Sequence, residues 1–196
     1  MSLRADQAVI VALIARDTRV LDIGCGDGAL LAELRATAHI DGRGIELDAR
    51  DVASAVARGL SVVQGDADTD LVDYPADAFD VVILSNTLQA MHAPATVLGQ
   101  MLRIGRRAVV SFPNFGHWRV RLALLAGGRM PVTPTLPVSW HQTPNIHLCT
   151  IDDFRATVAE HGFTIESAAF LSNGKRCGAR FANLLAEQAV FVLRRT

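Results

Sequence analysis

Val20-Leu21-Asp22-Ile23-Gly24-Cys25-Gly26-Asp27-Gly28 carries a short apolar run straight into three glycines at alternate positions, and its reading decides the fold. Arg19 to Ile23 reads as a buried strand closed by Gly24, and a helix is expected over about 28–36. Glycines at such a junction let backbone approach something closely. Outward from here, short continuous apolar runs keep alternating with helical spacing. Strands are expected at 42–47, 60–64, 80–84 and 107–112, and helices over 50–58 and from Pro94. The Pro94 helix carries Val97, Leu98, Met101 and Leu102 as one stripe, and Gly105 is placed to end it in a left-handed cap. Upstream, Val9, Ile10, Leu13 and Ile14 lie at helical spacing. Alternation of this kind predicts βαβ units. Asp80-Val81-Val82-Ile83-Leu84 lacks polar alternation, as a parallel strand covered on both faces does.

The pattern breaks at about 113–149, an irregular insertion holding five of the seven prolines, both tryptophans and three of the six histidines. A connection longer than ~15 residues in a compact domain is usually functional or disordered, and aromatic content argues against simple disorder. Order returns at Thr150, which can cap a helix with Asp153 reaching back, Phe154 and Val158 on one face, and Gly162 as the stop. Segments 163–170 and 187–193 read as two last strands that can pair as an antiparallel hairpin at the sheet edge, joined through a basic loop. The whole chain, 1–196, is expected to be one domain.

Spacing alone leaves two ligand classes for the glycine turn. Gly24, Gly26 and Ala29 satisfy the relaxed G-x-G-x-x-A dinucleotide pattern, and an NAD-dependent reductase rests on that alone. S-adenosylmethionine, a sulfonium with an amino group and no phosphate, uses such a turn as well. Charge separates them. Asp22 and Asp27 would stand ~4–6 Å from a doubly negative pyrophosphate and repel it by roughly a few kcal/mol, whereas both attract a cation. Asp22 can hold the amino group, directly or through water, while backbone at Gly24, Cys25 and Gly26 packs on the methionine part. Glu46, 22 residues after Gly24, can accept from both ribose hydroxyls, and Leu47 adjoins it. Asp66 can accept from the adenine amino group while the Ala67 amide faces the ring. Ser85 and Asn86 would line the methionine portion through their carbonyls. Each feature has a plain structural alternative: a tight turn for the glycines, a solvated carboxylate for Glu46, a helix cap for Asp66, strand closure for Ser85 and Asn86. Three acidic groups at three successive strand ends form the stronger signal.

Composition bounds the class. The 196 residues are 50% apolar and 20% charged, enough for a sizeable core without metals or disulfides. Lys and Arg total 19 against 20 Asp and Glu, so a net charge of −1 offers no field to draw nucleic acid or an anionic membrane. Cys25, Cys149 and Cys177 are odd in number and far apart, as reduced thiols would be. No charged-then-apolar leader is visible, and no apolar run approaches ~18 residues, so the expectation is a cytoplasmic protein without a membrane partner.

Leu21-Asp22-Ile23-Gly24-Cys25-Gly26-Asp27-Gly28, with Glu46 and Asp66 in step, resembles class I S-adenosylmethionine-dependent methyltransferases. Val82-Ile83-Leu84-Ser85, Thr87-Leu88-Gln89-Ala90, Gly105-Arg106-Arg107 and Ser111-Phe112-Pro113-Asn114-Phe115-Gly116-His117-Trp118-Arg119 resemble, more narrowly, the MetW family of methionine biosynthesis proteins. Gly128-Arg129-Met130-Pro131-Val132-Thr133 and Thr143-Pro144-Asn145-Ile146-His147-Leu148-Cys149-Thr150 extend the match over nearly the whole chain. The resemblance implies an α/β, Rossmann-like class I methyltransferase fold, with a mostly parallel seven-stranded sheet and an antiparallel edge strand. It implies a site for S-adenosylmethionine or S-adenosylhomocysteine. It also implies an accessory or regulatory place beside a homoserine O-acyltransferase, acetyl- or succinyl-transferring, in which the bound pathway product could report methionine sufficiency. Fold membership does not imply methyl transfer; a small-molecule methyltransferase is the alternative.

Ser85-Asn86-Thr87-Leu88-Gln89, where an acceptor would be oriented, holds no group suited to general base work, so no catalytic residue is assigned. His117, His141, His147 and Cys149 are spaced 24, 6 and 2 apart, which matches no compact zinc signature, and no metal is expected. Cys25 reads as a small packing residue, with no histidine tied to it. Trp118, Arg119, Arg121, Arg129 and Trp140 combine the side chains that dominate interfaces and suit a partner-binding or substrate-covering surface, or equally a lid packed on its own domain. Lys175, Arg176 and Arg180 read as a solvated basic loop that could also face an acidic partner.

Overall fold

The apolar run after Arg19 becomes β1 (Arg19–Ile23), the centre of a computed structural model that describes residues 3–133 and 137–195. Before it lies α1 (Ala5–Leu13). After it come α2 (Ala29–Ala38), β2 (Asp41–Glu46), α3 (Ala49–Ala57) and β3 (Ser61–Gln64), two successive βαβ units. β4 (Phe79–Ser85), α4 (Pro94–Ile104) and β5 (Gly105–Pro113) repeat the pattern. The remainder is α5 (Trp118–Gly127), α6 (Ile151–Glu160), β6 (Thr164–Ser172), β7 (Lys175–Cys177), α7 (Ala182–Leu185) and β8 (Gln188–Arg194). Spatial order is β3-β2-β1-β4-β5-β8-β6-β7. β1 to β5 pair in parallel, and β8 runs antiparallel to both β5 and β6.

The sheet has eight strands rather than seven. Lys175–Cys177, read from sequence as part of a basic loop, pairs antiparallel with Phe170–Ser172 and adds a short edge strand too polar to stand out. The last two long strands do pair, but β8 also lies along β5, which joins the antiparallel end to the parallel part. Gly105 does not adopt a left-handed cap. Its φ of −121° is extended, because β5 begins at that residue and the chain passes from α4 directly into the strand.

Strand alternation sorts the core onto two faces. Leu21, Ile23, Val82, Leu84, Val110 and Phe112 pack under α4 and α6, where Phe112, Phe154 and Phe191 meet with ring centroids 4.8–5.9 Å apart. Val20, Val81, Ile83 and Val109 pack under α1, α2 and α3 with Ile10, Leu30, Leu31, Leu34 and Ala55. The same alternation puts Asp22, Ser85 and Ser111 on this second face, at the carboxyl ends of their strands. Asp22 is level with Ile83, and Ser85 with Ser111. No helix among the described residues is long and apolar enough to cross a membrane.

Among the described residues of the insertion, between β5 and α6, there is one helix, α5, capped by His117 Nδ1, which accepts from the Arg119 N–H at 3.4 Å. Pro134, Thr135 and Leu136 of this insertion lie outside the described residues. Its two ends meet. Phe115 N–H donates to the Cys149 carbonyl at 3.0 Å. Beside them, buried Asn114 donates through Nδ2 to the carbonyls of Asn183 (3.0 Å) and Ala186 (2.7 Å) and accepts through Oδ1 from Gly116 N–H (3.0 Å) and Ile151 N–H (3.2 Å). Thr150 and Asp153 then form the expected capping box of α6.

Candidate functional site

The strand order reverses between β1 and β4, which open crossovers to opposite sides, and a crevice outside their carboxyl ends is the expected ligand position of such a sheet. A cavity of about 560 Å³ lies there, within the size range of cofactor sites. Asp22, Gly24, Cys25, Gly26 and Ser85 line it together with Arg4, Gln7, Asp27, Glu33 and Arg58. Five of the sequence-predicted residues are thus brought to one place.

The turn that bends around this cavity is glycine-dependent at two positions. Gly24 has φ +67°, and a Cβ there would sit 2.7 Å from Thr87 Oγ1 and Cγ2. Gly26 has φ +55° and nothing within 4 Å of where its Cβ would be, so its open side is available for close approach. Cys25 is buried, its sulfur against Gly44 of β2, and burial pushes the thiol pKa far up. That is a packing cysteine, not a thiolate.

Asp22 is 2% exposed, and its Oδ1 has no hydrogen-bond partner among the described residues. Burial is the main reason its pKa rises to about 7, with Glu46 adding to the rise and Arg4 opposing it. A buried acceptor without a donor is costly and asks for a partner. Next to it is a polar cluster that sequence reading missed. Asp6 of α1 is fully buried and accepts from Ser85 Oγ (3.0 Å), Ser111 Oγ (2.8 Å) and Arg4 Nε (3.2 Å), while Arg4 Nη2 also donates to Ser85 Oγ at 2.8 Å. A signal existed. Asp6 lies four residues before Ile10 and so shares the apolar face on which Val9, Ile10, Leu13 and Ile14 were read.

Glu46, Leu47, Asp66 and Ala67 do not line this cavity. Glu46 is tied to it: Oε2 accepts from Gly26 N–H at 2.8 Å, and Oε1 from the N–H groups of Leu47 (2.8 Å) and Asp48 (2.9 Å). Asp66 opens the turn after β3, where its Oδ1 accepts from Asp68 N–H at 2.9 Å. The Ser85 carbonyl accepts from Thr87 Oγ1 and the Asn86 carbonyl from Gln89 Nε2, so both are engaged within their own turn, and Asn86 faces a different cavity. The charge balance also differs from expectation. Asp27 is paired with Arg58 at 2.6 Å, and Arg4 stands near Asp22, so two guanidiniums temper the acidic ring. Among the described residues no three His, Cys, Asp or Glu side chains are grouped to hold a metal.

A family model described as methionine biosynthesis protein MetW matches residues 4–193. A bifunctional methionine biosynthesis protein MetXA/MetW from Rhodopirellula baltica is 33% identical over 207 residues, covering 100% of this chain and 33% of that protein. The chain therefore spans about a third of the length of this relative. Among solved structures, an S-adenosylmethionine-dependent methyltransferase from Mesorhizobium loti superposes with a TM-score of 0.71 at 18% identity, over 97% of this chain and 98% of that one. Magnesium protoporphyrin IX methyltransferase from Synechocystis PCC 6803, with bound SAH, superposes with a TM-score of 0.68 at 16% identity, over 97% and 82%. These likenesses show the fold, an α/β Rossmann-like methyltransferase architecture.

Proposed function

The chain belongs to the MetW family of methionine biosynthesis proteins, and from that premise we propose that it serves methionine synthesis as the accessory partner of a homoserine O-acyltransferase, with an adenosyl-sulfur ligand in the β1/β4 crevice. The observation that carries the partner reading is the R. baltica relative, one polypeptide named for both MetXA and MetW, to a third of which this chain corresponds. Two activities in one chain mark segments that profit from staying together.

The residues in the crevice fit S-adenosylmethionine or S-adenosylhomocysteine. Asp22 supplies an unpartnered carboxylate oxygen for the amino group, and Gly26 an open backbone surface. Glu46 would take the ribose hydroxyls in exchange for some of its backbone contacts, and Asp66 with Ala67 the adenine. When S-adenosylmethionine is bound, its sulfonium supplies an electrophilic methyl group. The chain's own residues orient it: Arg4 and Asp6 hold Ser85 at the crevice floor, and the Gly26–Glu46 bond fixes the turn.

Pull-down of the tagged chain from cells starved of methionine is expected to recover the acyltransferase, whose activity rises when the chain is added; Trp118→Ala and Arg119→Ala are expected to weaken the complex. Full acyltransferase activity without the chain, and no co-elution, would overturn the partner reading. Calorimetry tests the ligand separately. S-adenosylhomocysteine is expected to bind and NAD not to, with binding lost in Glu46→Ala.

A further inference from the structure

A second cavity, of about 450 Å³, opens between the carboxyl ends of β4 and β5 and the insertion. It shares no lining residue with the β1/β4 crevice, although Ser85 lines one and the next residue, Asn86, the other. Its walls are apolar, from Phe115, Met130, Trp140 and Ile146, and none of its described lining side chains is ionisable. Met130, Trp140 and Ile146 are 38%, 74% and 50% exposed, which leaves large apolar surface facing water around one hollow.

Two acceptors in this lining lack donors. Asn86 Oδ1 and Gln89 Oε1 are both buried and have no hydrogen-bond partner among the described residues, and Gln89 is only 7% exposed. The amide orientation of Gln89 is set by its nitrogen, which donates to the Asn86 carbonyl at 2.5 Å, so the oxygen is the free end. Its backbone is committed elsewhere: the Gln89 carbonyl accepts from Ile146 N–H (2.8 Å) and His147 N–H (2.9 Å), pinning the insertion to the body. Asn86 is held with φ +56°, a conformation Asn tolerates better than most residues.

We propose that this cavity is a binding site for an uncharged small molecule with an apolar body and a carboxamide or a comparable pair of N–H or O–H donors. The donors satisfy Asn86 and Gln89. The body covers Phe115, Trp140 and Ile146. A net charge is rejected because the described lining offers no counter-ion, and burying an unpaired charge costs far more than an amide contact returns.

Three probes of one shape test the claim on the full ¹⁵N-labelled chain: phenylacetamide, phenylacetate and 2-phenylethylamine, titrated with NMR detection of the Asn86 and Gln89 carboxamide and Trp140 indole signals. Phenylacetamide is expected to shift these signals and to bind at least about tenfold more tightly than either charged probe. Gln89→Met is expected to weaken it by about tenfold, the cost of removing one acceptor from a buried contact, and Ile146→Trp to fill the cavity and abolish binding. Equal affinity for the three probes, shifts confined to other residues, or no binding of phenylacetamide at tens of millimolar would overturn the proposal. Because the comparison among probes needs no variant, a misfolded mutant leaves the test intact.

Discussion

A carboxylate that strand alternation places beneath α1, level with Ile83 and without a donor for Oδ1, has to be neutral or find a cation. With the Asp22 pKa raised to about 7, the folded chain keeps a proton that the unfolded chain has already lost above pH ~4. The stabilisation is therefore complete below that lower value and is lost as pH rises through about 7. In urea unfolding, wild type is expected to lose about 1.4 kcal/mol per pH unit relative to Asp22→Asn between pH 5 and 7. A pH-independent difference would show that Asp22 is not protonated in the fold. A ligand ammonium reverses the sign. It favours the ionised carboxylate, so affinity for S-adenosylhomocysteine is expected to climb over the same window, and this climb to vanish in Asp22→Asn.

At the scale of elements, Asn114 is the clamp between β5, the insertion, α6 and α7. Asn114→Ala removes a donor from two carbonyls and the acceptor of the Gly116 N–H, while the Ile151 N–H keeps Asn183 Oδ1 at 3.2 Å, and is expected to cost about 2–4 kcal/mol in unfolding free energy. A loss below about 1 kcal/mol would mean that water replaces the side chain there. The parallel strands were the legible elements. β1, β4 and β5 are near-continuous apolar runs because both their faces are covered, β2 and β3 are shorter stretches with more polar residues, and all five positions follow the sequence within a residue or two. α5 was not legible. Only Val120 of its ten residues is buried, while Leu122 and Leu125 face outward, so no apolar stripe marks it. Gly105 misled for a related reason: glycine after a helical stripe looks like a cap, and only the register with Phe79 makes it the first residue of a strand. The crevice was legible where its residues sit on β1 and in the glycine turn. Arg4 was not, since nothing local ties a residue before α1 to the end of β4 some 80 positions later.

Across the whole molecule, the two cavities described above and the insertion occupy the carboxyl edge of the sheet, and the opposite edge carries exposed ion pairs such as Arg19–Asp80 and Arg107–Glu166 around a further hollow of about 500 Å³. Replacing residues 116–148 by a short glycine turn is expected to lower the far-UV circular dichroism only by the share of α5 and to keep S-adenosylhomocysteine binding while abolishing acyltransferase capture. Loss of the circular dichroism signal would place the insertion in the folding core instead. The hydrogen bond from Phe115 to Cys149 is what makes such an excision conceivable. A stretch that departs and returns through one doorway adds no strain to the strands behind it, however long it grows. The insertion can consequently vary in length and composition at little thermodynamic risk, with the β1/β4 crevice left as a constant.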